Sequence, residues 1–413
     1  MVPNATRWIQ IPVFMRHFGA IACAVFLVSL VLPLGLARNL IQAGAAIVST
    51  GSSLRRVGAI RTPQLAATFG MGGLLLIFAT VSAFANPPLT EYAINKVPLL
   101  VVSLAYGFGV LPNVLVREGA FPVFAKVLSA SAVALSVVAI TTSSSRGGGR
   151  AAPWGLNPSL FGRFLALGAV FAVARYFTRG FNIWSAAAGA LCISGVIATG
   201  SRTSLLGVAA VAVYFGFRKG DTVGTSRLIV LGAASLGFVA LLGATIAGDA
   251  VWRFTPGELG GRRLSEEGSR FDLWRTALEG TSADAFGLGP GNYSTIHRAV
   301  NSPHNIFLEY WVELGFAAFL ILAVATVRAA RAARTLKSTS QHLDIVALFL
   351  YSLTNMIFSG EATYPALPMY AAMAIILVIH GKSDQVPVDE LAVRLPTQSV
   401  QRSMALDSSS PEG

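Results

Sequence analysis

The feature that most constrains this chain is a succession of apolar runs, each about 17 to 22 residues long, with almost no charge inside them. That length carries an α-helix across a hydrocarbon core of roughly 30 Å. Backbone in lipid must also satisfy its own hydrogen bonds, which leaves helices or closed barrels as the spanning structures. Runs this long and this uniformly apolar select helices. Composition agrees: 54% of the 413 residues are hydrophobic and only 12% are charged, whereas a soluble domain carries about a quarter charged residues. Mean hydropathy is +0.64. Glycine is abundant within the runs (41 in all), which suits close helix packing where lipid supplies no hydrophobic drive.

The fold class read from this pattern is all-α, a polytopic integral membrane protein of about twelve helices. The predicted spans are 18–36, 39–51, 64–85, 97–115, 127–144, 160–176, 181–199, 203–217, 226–247, 305–327, 343–360 and 364–380. The second is too short to cross alone unless its flanks contribute. No small-residue cleavage site follows the first run, so it reads as a retained span rather than a signal peptide.

Charge placement sets the orientation. A net charge of +12 looks like a nucleic-acid signal until the cations are mapped; they gather at span ends, where they report sidedness instead. With the N-terminus inside, nineteen Lys and Arg fall in cytoplasmic segments, among them Arg55, Arg56, Arg61, Arg175, Arg179 and Arg328. Short outer segments hold six: Arg38, Lys96, Arg146, Arg150, Arg163 and Arg202. Both termini are then cytoplasmic, and one large periplasmic loop, 248–304, joins helices 9 and 10. Dropping the short second span would put Arg55, Arg56 and Arg61 outside, so the bias supports it. Residues 382–413 are polar and rich in Ser, Pro and acidic residues, as a disordered cytoplasmic tail would be. Cys23 and Cys192 each lie deep in an apolar run and suggest neither a disulfide framework nor a metal site.

The polar features that could carry chemistry lie between Gly200 and Gly315 and face outward on this topology. Arg202, in the turn Gly200-Ser-Arg-Thr-Ser204, is either an arginine snorkelling to the interface or a forked donor at headgroup depth able to grip phosphate. In the long loop, Phe271, Trp274 and Leu278 fall on one helical face, the pattern of an amphipathic segment lying on the outer leaflet. That segment would hold Arg270 where a lipid-linked diphosphate emerges, with Arg275 further along. The glycines of Phe286-Gly-Leu-Gly-Pro-Gly-Asn-Tyr293, including Gly289 and Gly291, either form a turn or offer backbone N–H groups to an anion.

The last piece is Asn301-Ser-Pro-His-Asn-Ile-Phe-Leu-Glu309. Ser302 suits an N-cap and Pro303 the first helical position, which puts His304 in the first turn. There the helix dipole disfavours imidazolium, leaving a neutral ring able to accept a proton as a general base; a merely capping histidine is the plain alternative. Glu309 and Glu313 lie deeper, where an acid needs a partner or a polar cavity. Glu309 could orient His304 or an arginine, and Glu361 is a further possible arginine partner. No HExxH, CxxC or acidic metal cluster occurs, so the expected chemistry uses no metal and no cofactor and rests on Arg and His.

Taken together, Gly200-Ser-Arg202, Arg270 with Trp274, Gly287-Leu-Gly-Pro-Gly-Asn292 and Pro303-His-Asn305 leading to Glu313-Leu-Gly315 resemble the O-antigen ligase and polymerase superfamily. These are bacterial glycosyltransferases that act on undecaprenyl-diphosphate-linked glycans at the outer face of the inner membrane. The resemblance implies a transmembrane glycosyltransferase domain over 1–381. It implies that Arg202 binds the donor diphosphate, that Arg270 stabilises charge on the leaving diphosphate, and that His304 activates the acceptor hydroxyl. Arg275, Glu309, Asn305, Gly289 and Gly291 are the accompanying candidates for substrate binding. Partners would be the lipid-linked donor, a lipid A-core or glycan acceptor, and membrane lipid, with no nucleic acid. Direct displacement at C1 would invert the anomeric centre. A ligase is preferred to an O-antigen or exopolysaccharide polymerase, because the Pro-His-Asn context fits base-catalysed ligation. A transporter or flippase, the reading from another class, would place ionisable residues near the midplane of interrupted helices, whereas these gather at the outer surface.

Overall fold

The computed structural model describes residues 13–30, 35–54, 63–117, 119–144, 151, 153, 157–218, 270–280, 286–297, 300–336, 340–359 and 366–383. No strand occurs among them. In chain order the helices are α1 (Val13–Ser29), α2 (Gly35–Leu54), α3 (Pro63–Ala85), α4 (Glu91–Leu115), α5 (Ala120–Ser144), α6 (Pro158–Arg179), α7 (Ile183–Thr199) and α8 (Arg202–Arg218). After the long loop come α9 (Arg270–Gly280), the single turn α10 (Tyr293–Ile296), α11 (Ile306–Leu314), α12 (Phe316–Thr335), α13 (Ser340–Ser359) and α14 (Ala366–Ser383).

Four helices, Glu91–Leu115, Ala120–Thr142, Pro158–Arg179 and Phe316–Thr335, are long and apolar enough to cross a bilayer by length and composition. Shorter apolar helices accompany them. Large side chains such as Phe84, Ile47 and Phe217 are exposed on the outside of the bundle, as lipid-facing positions should be. The chain is an integral membrane protein.

The predicted span 39–51 falls within a 20-residue helix, Gly35–Leu54, which is not among those four. The first helix correspondingly ends at Ser29 rather than running on to 36. The predicted single span 305–327 is in fact two helices. Gly315 adopts φ 89°, ψ 169° and closes α11 with its N–H on Trp311 O; a residue with a Cβ adopts such a conformation only under strain. The predicted span 226–247, loop residues 248–269, Glu361 and the tail from 384 lie outside the described residues. So do the count of twelve spans and the placement of both termini.

Within the bundle α6 is central, with 78% of its apolar window buried against 22% for α12. It packs on α5, α7, α8 and α13. Its approach to α7 and α8 is unusually close: a Cβ at Gly162 would sit 2.4 Å from Thr199 Oγ1 and 2.5 Å from Ser201 Cβ, and one at Gly168 would sit 2.4 Å from Cys192 Sγ. The absent side chains let the helices touch, which gains packing contacts where lipid gives none. Cys23 and Cys192 are buried free thiols.

Candidate active site

The close approach at Gly162 sets up the site. Gly162 precedes Arg163, and the residue it packs against, Ser201, precedes Arg202. The contact that brings the start of α6 against the α7–α8 turn therefore brings two guanidinium groups to the same region. The turn is tight because Gly200 takes the left-handed conformation (φ 64°, ψ 27°) and its N–H returns to Ile197 O. Arg163 is buried and its carbonyl accepts a 2.6 Å hydrogen bond from Tyr351 on α13. Arg202, half-buried, opens α8.

Arg270, the first residue of α9, joins them. Its Nη2 donates to Thr203 Oγ1 at 3.5 Å. Its guanidinium is pushed below the usual arginine range, first by desolvation and then by the charges of Arg163 and Arg202. Although Arg270 is exposed as a residue, surrounding protein desolvates it enough for that to be the leading cause. Three cations from three separate segments thus repel one another at one spot, and a polyanion would relieve them.

Helix α9 is tied to the segment that carries His304. Trp274, one turn beyond Arg270, donates its indole N–H to Pro303 O at 3.1 Å. Tyr293 donates its hydroxyl to Leu273 O at 2.7 Å. His297 Nε2 and Asp272 Oδ2 lie 3.2 Å apart. Leu273, Ala277, Tyr293 and Val312 form a small apolar cluster of their own beneath α9, which seats it on α10 and α11.

His304 is not in a helix, contrary to the sequence expectation. The N-cap is Asn305, whose side-chain oxygen accepts from Phe307 and Leu308 N–H at 3.0 and 3.3 Å. Asn outranks most residues at that position, and the cap displaces Ser302 and Pro303 from the roles expected of them. His304 therefore sits just before the cap with φ 53°, the one non-glycine residue at positive φ among those described. Its Nδ1 and Ser302 Oγ share a hydrogen bond of 3.3 Å. A bulky residue in this conformation carries a local strain of about 1–3 kcal/mol, and such strain clusters at functional positions.

The remaining candidates separate. Asn305 is committed to capping. Arg275 is exposed and pairs with Glu279 one turn on at 2.7 Å. The Gly-rich loop is a structural brace: Leu288 and Gly289 N–H donate to Val312 O and Glu313 O at 2.8 and 3.0 Å, the carbonyls that the break at Gly315 releases. The donor that Gly289 was expected to offer a substrate is already used, and Gly291 packs on Ala93. Glu309 has a different partner from those expected. Lys96 of α4 lies 2.5 Å from Glu309 Oε1 and 2.8 Å from Glu313 Oε2, all three side chains 1–2% exposed. That pairing answers the cost of two acids at this depth.

Arg163 and Lys96 were legible in the sequence only as outer cations. What marks both is an isolated charge inside the outer turns of an apolar run.

Residues 187–323 match the family model described as O-antigen ligase. The matched segment contains Arg202, Arg270, the Gly-rich loop and His304, while Lys96 and Arg163 lie before it. No curated protein matches the chain. The matched segment, which holds two of the three clustered arginines and the strained histidine, is thus similar to the O-antigen ligase family.

Proposed function

We propose that the protein is an O-antigen ligase-type glycosyltransferase that moves a glycan from undecaprenyl diphosphate to a hydroxyl of lipid A-core at the periplasmic face of the bacterial inner membrane. The observation that carries this reading is the meeting of Arg163, Arg202 and Arg270. A diphosphate is the ligand whose charge and oxygen count match several guanidinium forks held together. Arg202 and Arg163 grip the donor diphosphate, and Arg270 meets charge as it develops on the departing oxygen. His304 takes the acceptor proton as the acceptor oxygen bonds to C1. The C1–O bond breaks, its electron pair leaves with undecaprenyl diphosphate, and the anomeric centre inverts. Undecaprenyl diphosphate is already a competent leaving group, so a base and charge neutralisation suffice without a covalent nucleophile.

Purified protein given a lipid-linked oligosaccharide with lipid A-core should transfer the glycan to lipid A-core. Chain lengthening on the lipid carrier would favour a polymerase, and no transfer in either mixture would favour transport. Alanine at Arg202, Arg270 or His304 should abolish transfer while leaving expression intact; full activity in all three variants would remove the proposed site.

A further inference from the structure

A second cationic cavity lies at the other end of α6. From Arg163 to Arg179 the helix climbs 16 residues, about 24 Å, so Arg175 and Arg179 face the membrane surface opposite the arginine cluster. Both line a cavity of about 400 Å³ between α5, α6 and α7, within the range of small-ligand sites, about 300–1,000 Å³. The cavity runs back along α6 from Arg179 to Gly168, 11 residues or about 16 Å towards the bilayer interior. Its inner part is lined by small side chains, Ser129, Ala172 and Ala188 beside Gly168. At its mouth Phe181 is 71% and Trp184 81% exposed, the placement of interfacial aromatic anchors.

The geometry points to a binding site for one anionic glycerophospholipid of the leaflet opposite the active site. Charge and shape each select it. Arg175 and Arg179 stand one turn apart, so their side chains share a face of α6. Asp344 of α13 interacts electrostatically with both, and two guanidinium groups side by side offer forked donors to a phosphate. Basic pockets between transmembrane helices bind anionic headgroups in this way. A soluble phosphate would fill only the mouth, whereas the inner part, lined by Ser129, Gly168, Ala172 and Ala188, reaches far enough along α6 to take the start of an acyl chain. The donor lipid is not the occupant, because its diphosphate belongs with the arginines at the other end of α6.

Native mass spectrometry of the full-length chain released from detergent, titrated with phosphatidylglycerol or phosphatidylethanolamine, tests this. Phosphatidylglycerol should be retained preferentially. Arg175→Gln with Arg179→Gln should lower its retention about 25-fold, at about fivefold per arginine near the surface, and lower that of phosphatidylethanolamine, whose ammonium offsets its phosphate, by much less. Ala188→Leu, which narrows the inner part and keeps both arginines, should lower retention of both lipids and stands as the test should the double variant fail to fold. Equal retention of the two lipids, wild-type retention by Ala188→Leu, or displacement of the lipid by soluble glycerol 3-phosphate would each overturn the proposal.

Discussion

Lys96→Met is the most informative single change outside the arginine cluster. In the native protein one ammonium holds two carboxylates, 2.5 Å from Glu309 and 2.8–2.9 Å from both oxygens of Glu313. All are 1–2% exposed, so solvent screening removes little of the interaction. Methionine keeps the length of the lysine stem and deletes the charge, leaving two acids buried against each other. Breaking a buried pair by removing one partner costs about 3–5 kcal/mol, because the charge left behind is uncompensated. Most domains have only about 5–15 kcal/mol in total, so the variant should melt far below wild type in detergent. Adding Glu309→Gln and Glu313→Gln removes the stranded charge. The triple variant should recover most of the loss, since replacing a whole buried ionic group by neutral residues is often close to neutral. Transfer activity should follow the same order, because α11 begins just after His304. If Lys96→Met melted within about 1 kcal/mol of wild type, or if the triple variant were no better than the single one, the buried charges would not be what joins α4 to α11.

Arg163→Ala should weaken use of the donor about 30-fold or more, the scale of losing one partner of a buried charge pair; Arg163→Lys should recover only part, because the planar fork is lost. Steady-state assays against donor concentration read both. Gly291→Ala should destabilise by about 2–4 kcal/mol, combining a left-handed φ of 82° with a Cβ placed 2.5 Å from Ala93 Cα; thermal melting in detergent reads this directly. His304→Gly should abolish transfer yet melt no lower than His304→Ala, since glycine relieves the strain of φ 53° and alanine does not. A His304→Gly protein less stable than His304→Ala would show that the conformation costs nothing.

The membrane architecture was legible because lipid leaves so few options to a backbone. The short second span rested on the charge bias of Arg55, Arg56 and Arg61, which lie outside the described residues, while the segment itself falls within a 20-residue helix. The boundaries around 302–315 were not recoverable in the same way. Ser302-Pro303 and Asn305 are both valid helix starts, and the choice depends on Trp274, 29 residues away, which takes the Pro303 carbonyl. The break at Gly315 was hidden by unbroken hydrophobicity on both sides. Its free carbonyls are satisfied by Leu288 and Gly289, a pairing across the chain that no local pattern encodes. Arg202 and Arg270 could be named from their surroundings because they sit in polar segments. Arg163 could not, because its neighbours read as ordinary span and its significance depends on Gly162 packing against Ser201.

That dependence shows how the two halves of the chain divide the work. The family-matching segment, 187–323, supplies Arg202, Arg270 and His304, but each is held by something outside it or far along it. Arg202 is positioned by Gly162 of α6, and the helix that follows His304 is held by Lys96 of α4. The Gly-rich loop closes the far end of that same helix against the α3–α4 region, through Asn86 Nδ2 on Gly287 O and Ser82 Oγ on Glu313 O. A nine-residue helix such as α11 is too short to be stable on its own. Pinned at its carbonyl end by the loop and along its length by Lys96, it becomes rigid enough to hold a histidine in a strained conformation at its start. The apolar N-terminal half is therefore the support against which the candidate groups of the proposed site are aligned.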